Sequence, residues 1–319
     1  MNTRTVIPGF FRKTKRYVKR ILHKISNGRI LDPSLLRRDW PSDKLLSGAM
    51  DLFEQKQGYR FDINNPRLFT EKIVWYKLFF EQDDMVRLVD KYLFKSYILD
   101  RLGDGYTVPL IGVWDNIASL ERDWSYLPEE FCLKSTLQSD GHSIMMIHNR
   151  SEVRFSDIKE KLNSWLMPKN TLINSYCRAY YDATPRIIAE VYKSEVKNQL
   201  YDYKVFCFDG EPAYIYVATD HFPGQLSHIS FYDLAWNRLD VRYGEHPNCE
   251  VDKPRDIEDM LNISRILSAG FPFLRVDFFE TQEHLYVAEL TLYPGGGQTP
   301  LHPESFNLEM GNRFTLPIQ

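Results

Sequence analysis

Four residues near the end of the chain have the types and spacing to handle phosphate: Arg275, Asp277, Glu289 and Thr291. They sit in Phe273-Leu-Arg-Val-Asp-Phe-Phe279 and Leu285-Tyr-Val-Ala-Glu-Leu-Thr291, two runs that alternate apolar and polar residues with the period of a strand. The segment Glu280–His284 between them is short enough to join antiparallel neighbours. A hairpin centred on Glu283 sets Asp277 opposite Glu289 and Arg275 opposite Thr291, with all four side chains on one face. Opposed carboxylates repel, so such a pair needs a proton or a cation between its members. A hard cation held by oxygen ligands, with an arginine beside it, suits a phosphate site. The plainer reading is two solvated acids on the open face of an edge hairpin.

Other candidates lie upstream. Lys134 ends the apolar run Phe131-Cys-Leu-Lys134, and Ser135–Ser143, which contains Asp140-Gly-His-Ser143, precedes the second apolar run Ile144–Ile147. A strand, a glycine-bearing loop and a second strand can fold over nucleotide phosphates, with the lysine as a point charge; a lysine that merely ends a strand is the bland alternative. Glu190 follows three apolar residues in Ile187-Ile-Ala-Glu190 and reads as the end of a strand entering a linker. Asp202 and Lys204 share a face in Tyr201–Phe208, and Asp209-Gly210 is a hairpin turn signal. Asp90-Lys91 reads as the start of a helix. A Gly-x-Ser-x-Gly elbow, a P-loop and a Gly-x-Gly-x-x-Gly turn do not occur in the sequence. Gly295-Gly-Gly297 reads as a loop after the last strand.

The elements that must position these groups are legible from periodicity. Helical patterns cover about 42–57, 70–81 and 84–101; after Gly103-Asp-Gly105 the pattern turns to strands at Val108–Val113, Phe131–Lys134 and Ile144–Ile147. A helix at 155–166, strands at 187–192, 201–208, 213–218 and 229–233, a helix at 255–269 and the hairpin follow. The expected fold class is α+β with antiparallel sheets, behind a helical N-terminal region. Residues 10–25 carry an apolar stripe (Phe10, Phe11, Tyr17, Val18, Ile21, Leu22, Ile25) opposite lysines and arginines. That pattern suits either a first helix packed on the core or a peripheral contact with an anionic membrane surface.

Composition narrows the class further. The chain has 319 residues, enough for two or three lobes with their own cores, and 19 Tyr, 20 Phe and 6 Trp favour a folded protein. Residues 1–31 hold nine Lys/Arg and no acid, so setting that arm apart from the net −3 leaves −12 on residues 32–319. A general nucleic-acid surface is therefore not indicated. Cys132, Cys177, Cys207 and Cys249 are widely spaced, which points to neither a disulfide framework nor a zinc site and suits a cytoplasmic protein. There is no apolar run of about 18 residues for a membrane span.

Taken in order, several segments resemble the ATP-grasp superfamily, and within it the TupA-like branch named for teichuronopeptide biosynthesis. They are Asp90-Lys91-Tyr92, Leu127–Lys134, Pro185–Glu190, Asp202–Gly210, Arg275-Val-Asp277 and Ala288-Glu-Leu-Thr291. The resemblance spans about 85–311 and implies two α+β lobes sandwiching ATP, expected at 84–193 and 194–319 behind a helical region at 1–83. It implies that Lys91 and Lys134 contact phosphate, that Ser135, Gly141 and Ser143 belong to a mobile phosphate loop, and that Glu190 and Glu195 lie at the adenine and ribose. Lys204 and Arg275 would be catalytic cations near the γ-phosphate. Asp277, Glu289 and Thr291 would hold Mg²⁺, with Thr291 standing where many superfamily members have Asn. The implied reaction is amide formation through an acyl phosphate. It would join an amino acid, as amine, to the carboxylate of a uronic acid or another amino acid in capsular or surface-polysaccharide or teichuronopeptide assembly. A metal-dependent glycosyltransferase and a non-catalytic ATP-binding partner are the alternatives.

Overall fold

The structure is a computed structural model, and it describes residues 43–138, 143–167, 176–192, 201–219, 226–281 and 284–317. The stripe over 10–25 lies outside the described residues. The chain divides into two compact units, residues 1–60 and 61–319. In the first, helix α1 (Asp43–Gln57) buries Leu45, Leu46, Ala49, Met50 and Phe53. Arg60 turns back onto Asp51 at 3.0 Å and Glu54 at 2.7 Å.

The second unit is built on two antiparallel sheets. Strands β1 (Leu110–Trp114), β2 (Phe131–Ser135), β3 (Ile144–Ile147) and β4 (Ile187–Val191) form the smaller one, in the order β1-β4-β2-β3. Alternation sends Phe131, Leu133, Ile187 and Ala189 into a core shared with Leu120 of helix α5 and Leu162 and Trp165 of helix α6. These helices span Ile117–Asp123 and Phe155–Trp165, following α2 (Phe69–Phe79), α3 (Met85–Val89) and α4 (Leu93–Leu102) in the chain. The intervening residues Cys132, Lys134, Ile188 and Glu190 are left for the opposite face.

The larger sheet comprises β5 (Asp202–Phe208), β6 (Glu211–Thr219), β7 (His228–Tyr232), β8 (Arg238–Leu239), β10 (Phe273–Glu280) and β11 (Leu285–Thr291). Its order is β11-β10-β5-β6-β7-β8, and the short strands β9 (Arg242–Tyr243) and β12 (Leu301–His302) pair separately. Asp209 and Gly210 both have positive φ, 49° and 84°, which closes the tight turn between β5 and β6 that the sequence predicts. One face of the sheet buries Val205, Cys207, Leu274 and Val276 with Met260 and Leu267 of helix α7 (Ile257–Ser268). The other face is aromatic at one end. Phe69 of α2 lies 6.0, 5.9 and 5.2 Å from the rings of Phe206, Phe208 and Phe273, and 6.3 Å from Phe314, which follows helix α8 (Glu304–Arg313). Two residues further along β10, the same face turns from apolar to charged at Arg275 and Asp277.

Two helical elements differ from the expected pattern. The helix expected over 84–101 is two helices, because Asp90 is extended (φ −95°, ψ 115°) and its Oδ1 accepts from the backbone N–H groups of Tyr92 at 2.8 Å and Leu93 at 3.1 Å. Helices α2, α3 and α4 bury Ile73, Leu88 and Tyr97 in the core of the larger sheet, whereas the small-sheet core draws on residues from Trp114 to Ala189. Helix α8 escapes periodicity because it is mostly polar and contains Gly311. That glycine is required: a Cβ there would stand 2.1 Å from the carbonyl oxygen of Arg67 and 2.9 Å from the N of Phe69. Gly311→Ala is expected to lower thermal stability by about 1–3 kcal/mol through backbone overpacking, read from denaturant melts; an unchanged midpoint would refute that close approach.

All four cysteines are free thiols. Among the described residues no helix is long and apolar enough to cross a membrane.

Candidate active site

The hairpin pairs Asp277 with Glu289 and Arg275 with Thr291, as the spacing predicts. It reaches that register differently from the symmetric hairpin expected. The turn closes between Thr281 and His284, and pairing resumes as Phe278 with Val287, so Ala288 is an extra residue in β11. This bulge cancels the one-residue offset of the turn and returns both acids to one face.

Asp277 is 1 % exposed, and the protein itself supplies its counter-charges. Arg275 grips it with two bonds, Nε to Oδ1 at 2.7 Å and Nη2 to Oδ2 at 2.6 Å. Lys204, the cross-strand partner of Asp277 on β5, donates to Oδ2 at 2.9 Å and lies 3.4 Å from Asp202. Arg275 also donates to Thr291 Oγ1 at 3.1 Å. Beneath both cations lies the ring of Tyr216, 5.9 Å from each. Burial works against the Lys204 ammonium, but Asp202 and Asp277 outweigh it and hold its pKa well above the ordinary lysine range. Burial likewise opposes the Arg275 charge and is overcome by Asp277. Both groups are therefore permanent cations.

The smaller sheet presents a second ionic group. Glu190 is 4 % exposed and is held by Lys134 at 2.7 Å and by Lys95 at 2.5 Å. Lys95, on α4, also donates to the carbonyl of Val108 at 2.6 Å. Sequence reasoning missed Lys95, because its partner Glu190 lies far away in the chain, on β4. Tyr216 was missed too, although it alternates in register with Lys204.

Lys91 joins the two groups. Its N–H donates to the carbonyl of Thr136 at 2.9 Å, and its Nζ lies 3.1 Å from the carbonyl of Gln138 and 3.7 Å from Glu289. Asp90 anchors this junction through a 3.0 Å pair with Arg186, whose backbone exchanges hydrogen bonds with Thr136. The Ser143 carbonyl accepts from the Ser135 N–H at 3.0 Å, and the Ser143 hydroxyl bonds the Gln138 side chain, closing the neck of the loop expected over phosphate. Ser135 shares the face of Phe131 and Leu133, and its hydroxyl points to the carbonyl of Trp165 at 3.5 Å. Gly141 and Glu195 lie outside the described residues.

Burial alone would raise the Glu190 carboxyl, but Lys134 and Lys95 reverse that and hold its pKa below the ordinary glutamate value. A depressed carboxyl contributes stability that is present above the unfolded-state pKa and lost as pH falls through the folded value. The stability advantage of the wild type over Glu190→Gln is therefore expected to be full at neutral pH and to shrink below about pH 4.5. Melts from pH 7 to pH 3 check this, and a difference that stays constant would rule the pair out as its source.

The chain belongs to the TupA-like ATPgrasp family, whose profile matches residues 71–315. Among solved structures it is similar to D-alanine–D-alanine ligase from Helicobacter pylori, at 13 % identity and a TM-score of 0.39, covering 72 % of this chain and 59 % of that one. It is also similar to phosphoribosylamine–glycine ligase from Thermotoga maritima (12 %, TM-score 0.39, 67 % of this chain and 51 % of that one). A third is N5-carboxyaminoimidazole synthetase from Staphylococcus aureus (16 %, TM-score 0.39, 65 % and 45 %). The chain thus spans less than two thirds of the length of each of these. No curated protein matches the sequence.

Proposed function

We propose that this protein is an ATP-dependent carboxylate–amine ligase that forms an amide through an acyl phosphate, acting in surface-polysaccharide or teichuronopeptide assembly in the cytoplasm. The observation that carries the reading is the buried Arg275–Asp277–Lys204 group set opposite Glu289, with Lys91 linking Glu289 to the segment after Lys134. The donors suit Mg²⁺. Among the described residues no three His, Cys, Asp or Glu side chains gather into a metal cage; Glu289 and Asp277 offer two opposed carboxylates, of which Asp277 already accepts from Arg275 and Lys204. Mg²⁺ is commonly held by one or two carboxylates and completes its shell with water and substrate phosphate. Thr291 is a weaker candidate ligand, since its hydroxyl already accepts from Arg275. When bound, the ion would neutralise charge on the transferring phosphoryl group.

The chain's own residues supply the rest. Lys91 and Lys134 would take the nucleotide phosphates, and Glu190 would mark the adenine end. Arg275 and Lys204 would stabilise charge as the substrate carboxylate attacks the γ-phosphate, which is most of what a protein contributes to that step. The amine then displaces phosphate from the acyl phosphate, and closure of the two sheets would keep water from it. The test is ADP release by the full chain with Mg²⁺ against paired uronic acids and amino acids. Release that requires both an acid and an amine supports the ligase and names its substrates. Failure to bind ATP would sink the reading, and turnover of a nucleotide sugar would replace it with a glycosyltransferase.

A further inference from the structure

A cavity of about 460 Å³ opens between the start of β6, the β7–β8 turn and helix α8. That volume lies in the range of small-molecule sites, about 300–1,000 Å³. Leu234, Leu239 and Phe306 form its apolar wall, and Tyr214, Glu309 and Arg313 form its polar side. The cavity is separate from the ionic group of the larger sheet. Tyr214 and Tyr216 share a face of β6, but packed rings lead from one to the other. Tyr216 lies 5.4 Å from Phe231, Phe231 lies 5.7 Å from Phe306, and Phe306 lies 4.9 Å from Tyr214.

One buried hydroxyl organises the polar side. Tyr214 donates to Glu309 Oε1 and accepts from Arg313 Nε at 2.9 Å. Glu309 and Arg313 stand at i and i+4 on α8, a spacing at which opposite charges ordinarily pair with each other. Here both are tied to the tyrosine oxygen instead, and among the described residues they form no direct ion pair. The outer edge of the guanidinium, Nη1 and Nη2, keeps its donors without a partner among the described residues. Both side chains belong to exposed residues, so a ligand can reach them. Asp233 lines the same cavity from the β7–β8 turn, its Oδ1 fixed by the N–H groups of Ala235 at 2.9 Å and Asn237 at 2.8 Å.

Charge complementarity narrows the occupant. A simple anion would meet Glu309 and Asp233 as well as Arg313, and a simple cation would meet Arg313; like-charge approaches of this kind are penalised. A ligand carrying both signs is matched on both sides. Its carboxylate fits the planar edge of the guanidinium, and its ammonium fits the free oxygen of Glu309.

We propose that this cavity binds a zwitterionic α-amino acid, with its carboxylate on Arg313 Nη1 and Nη2, its ammonium on Glu309 and its side chain against Leu234 and Leu239. The packed rings keep such an occupant away from Arg275 and Lys204, so it takes no part in phosphoryl transfer. It is a second amino-acid site, distinct from the one that the amine of the proposed ligation would occupy.

The test measures binding to the full chain by calorimetry and ligand-observed NMR. The probes are L-leucine and L-lysine, each beside its α-amide, which lacks the anion, and its Nα-acetyl derivative, which lacks the cation. Leucine uses the apolar wall alone, and lysine adds an ammonium for Asp233. At least one of the two is expected to bind, with both of its derivatives about tenfold to a hundredfold weaker, the range lost with a charge-assisted hydrogen bond. Arg313→Met should erase the preference over the amide and leave the preference over the acetyl derivative. Glu309→Gln should do the reverse. Both substitutions are at exposed positions; if either variant does not fold, the other decides. Preferences that survive the substitutions put the amino acid elsewhere and overturn the proposal. Equal binding of an amino acid and its derivatives, or binding of neither amino acid, overturns it as well.

Discussion

Asp277→Asn is expected to reduce Mg²⁺-dependent ADP release by about 10³-fold or more, comparable to or beyond the loss of a preorganised charge-stabilising group. It is also expected to cost about 3–5 kcal/mol of stability, the range for breaking a buried ion pair by removing one partner. Both effects have one cause. Asp277 is the shared counter-charge of Arg275 at 2.6 Å and Lys204 at 2.9 Å, so the neutral amide leaves two buried cations unmatched. Glu289→Gln separates chemistry from folding. Its side chain is 25 % exposed and pairs with Lys91 at 3.7 Å, so its removal should lose turnover comparably with little change in melting. Denaturant melts and initial rates on both variants check this. Turnover within tenfold of wild type in either one would remove that carboxylate from the proposed metal site.

The second large effect concerns nucleotide affinity. Lys134→Met is expected to raise the KM for ATP by about 10- to 100-fold, as for the loss of a charge-assisted hydrogen bond to phosphate. Two lysines on one glutamate leave a net positive charge beside the segment that follows β2, and Lys134 is the more open of the two, 25 % exposed against 12 % for Lys95. On the proposed function Lys134 would meet the ligand, while Lys95, with the Val108 carbonyl as its further partner, would serve the fold. Lys95→Met should accordingly lower stability more than Lys134→Met and raise the KM less. Equal KM changes in the two variants would mean that both lysines act only by holding Glu190.

Much of this was legible from alternation. A period of two places Arg275 and Asp277 on one face of β10, and the same rule, applied across strands, brings Glu289 and Thr291 beside them. Local pattern also marked most strands of both sheets, because each has one face against a helix layer and the other toward a different environment. It did not reveal the break at Asp90, where a carboxylate capping Tyr92 and Leu93 overrides an uninterrupted helical stripe. Nor did it reveal α8, which is mostly polar although it buries Phe306 and Met310 in the core.

Periodicity by itself determined which side chains share a face; only the tertiary structure decided what neutralises them. Opposed acids in a hairpin demand positive charge, and the sequence left open whether a metal ion or the protein provides it. The fold brings Lys204 to Asp277 across 73 residues and Lys95 to Glu190 from a helix of the other core, while a bulge at Ala288 keeps the acids in register. Those partners come together through sheet pairing and packing between distant segments, interactions that leave no periodic trace in the local sequence.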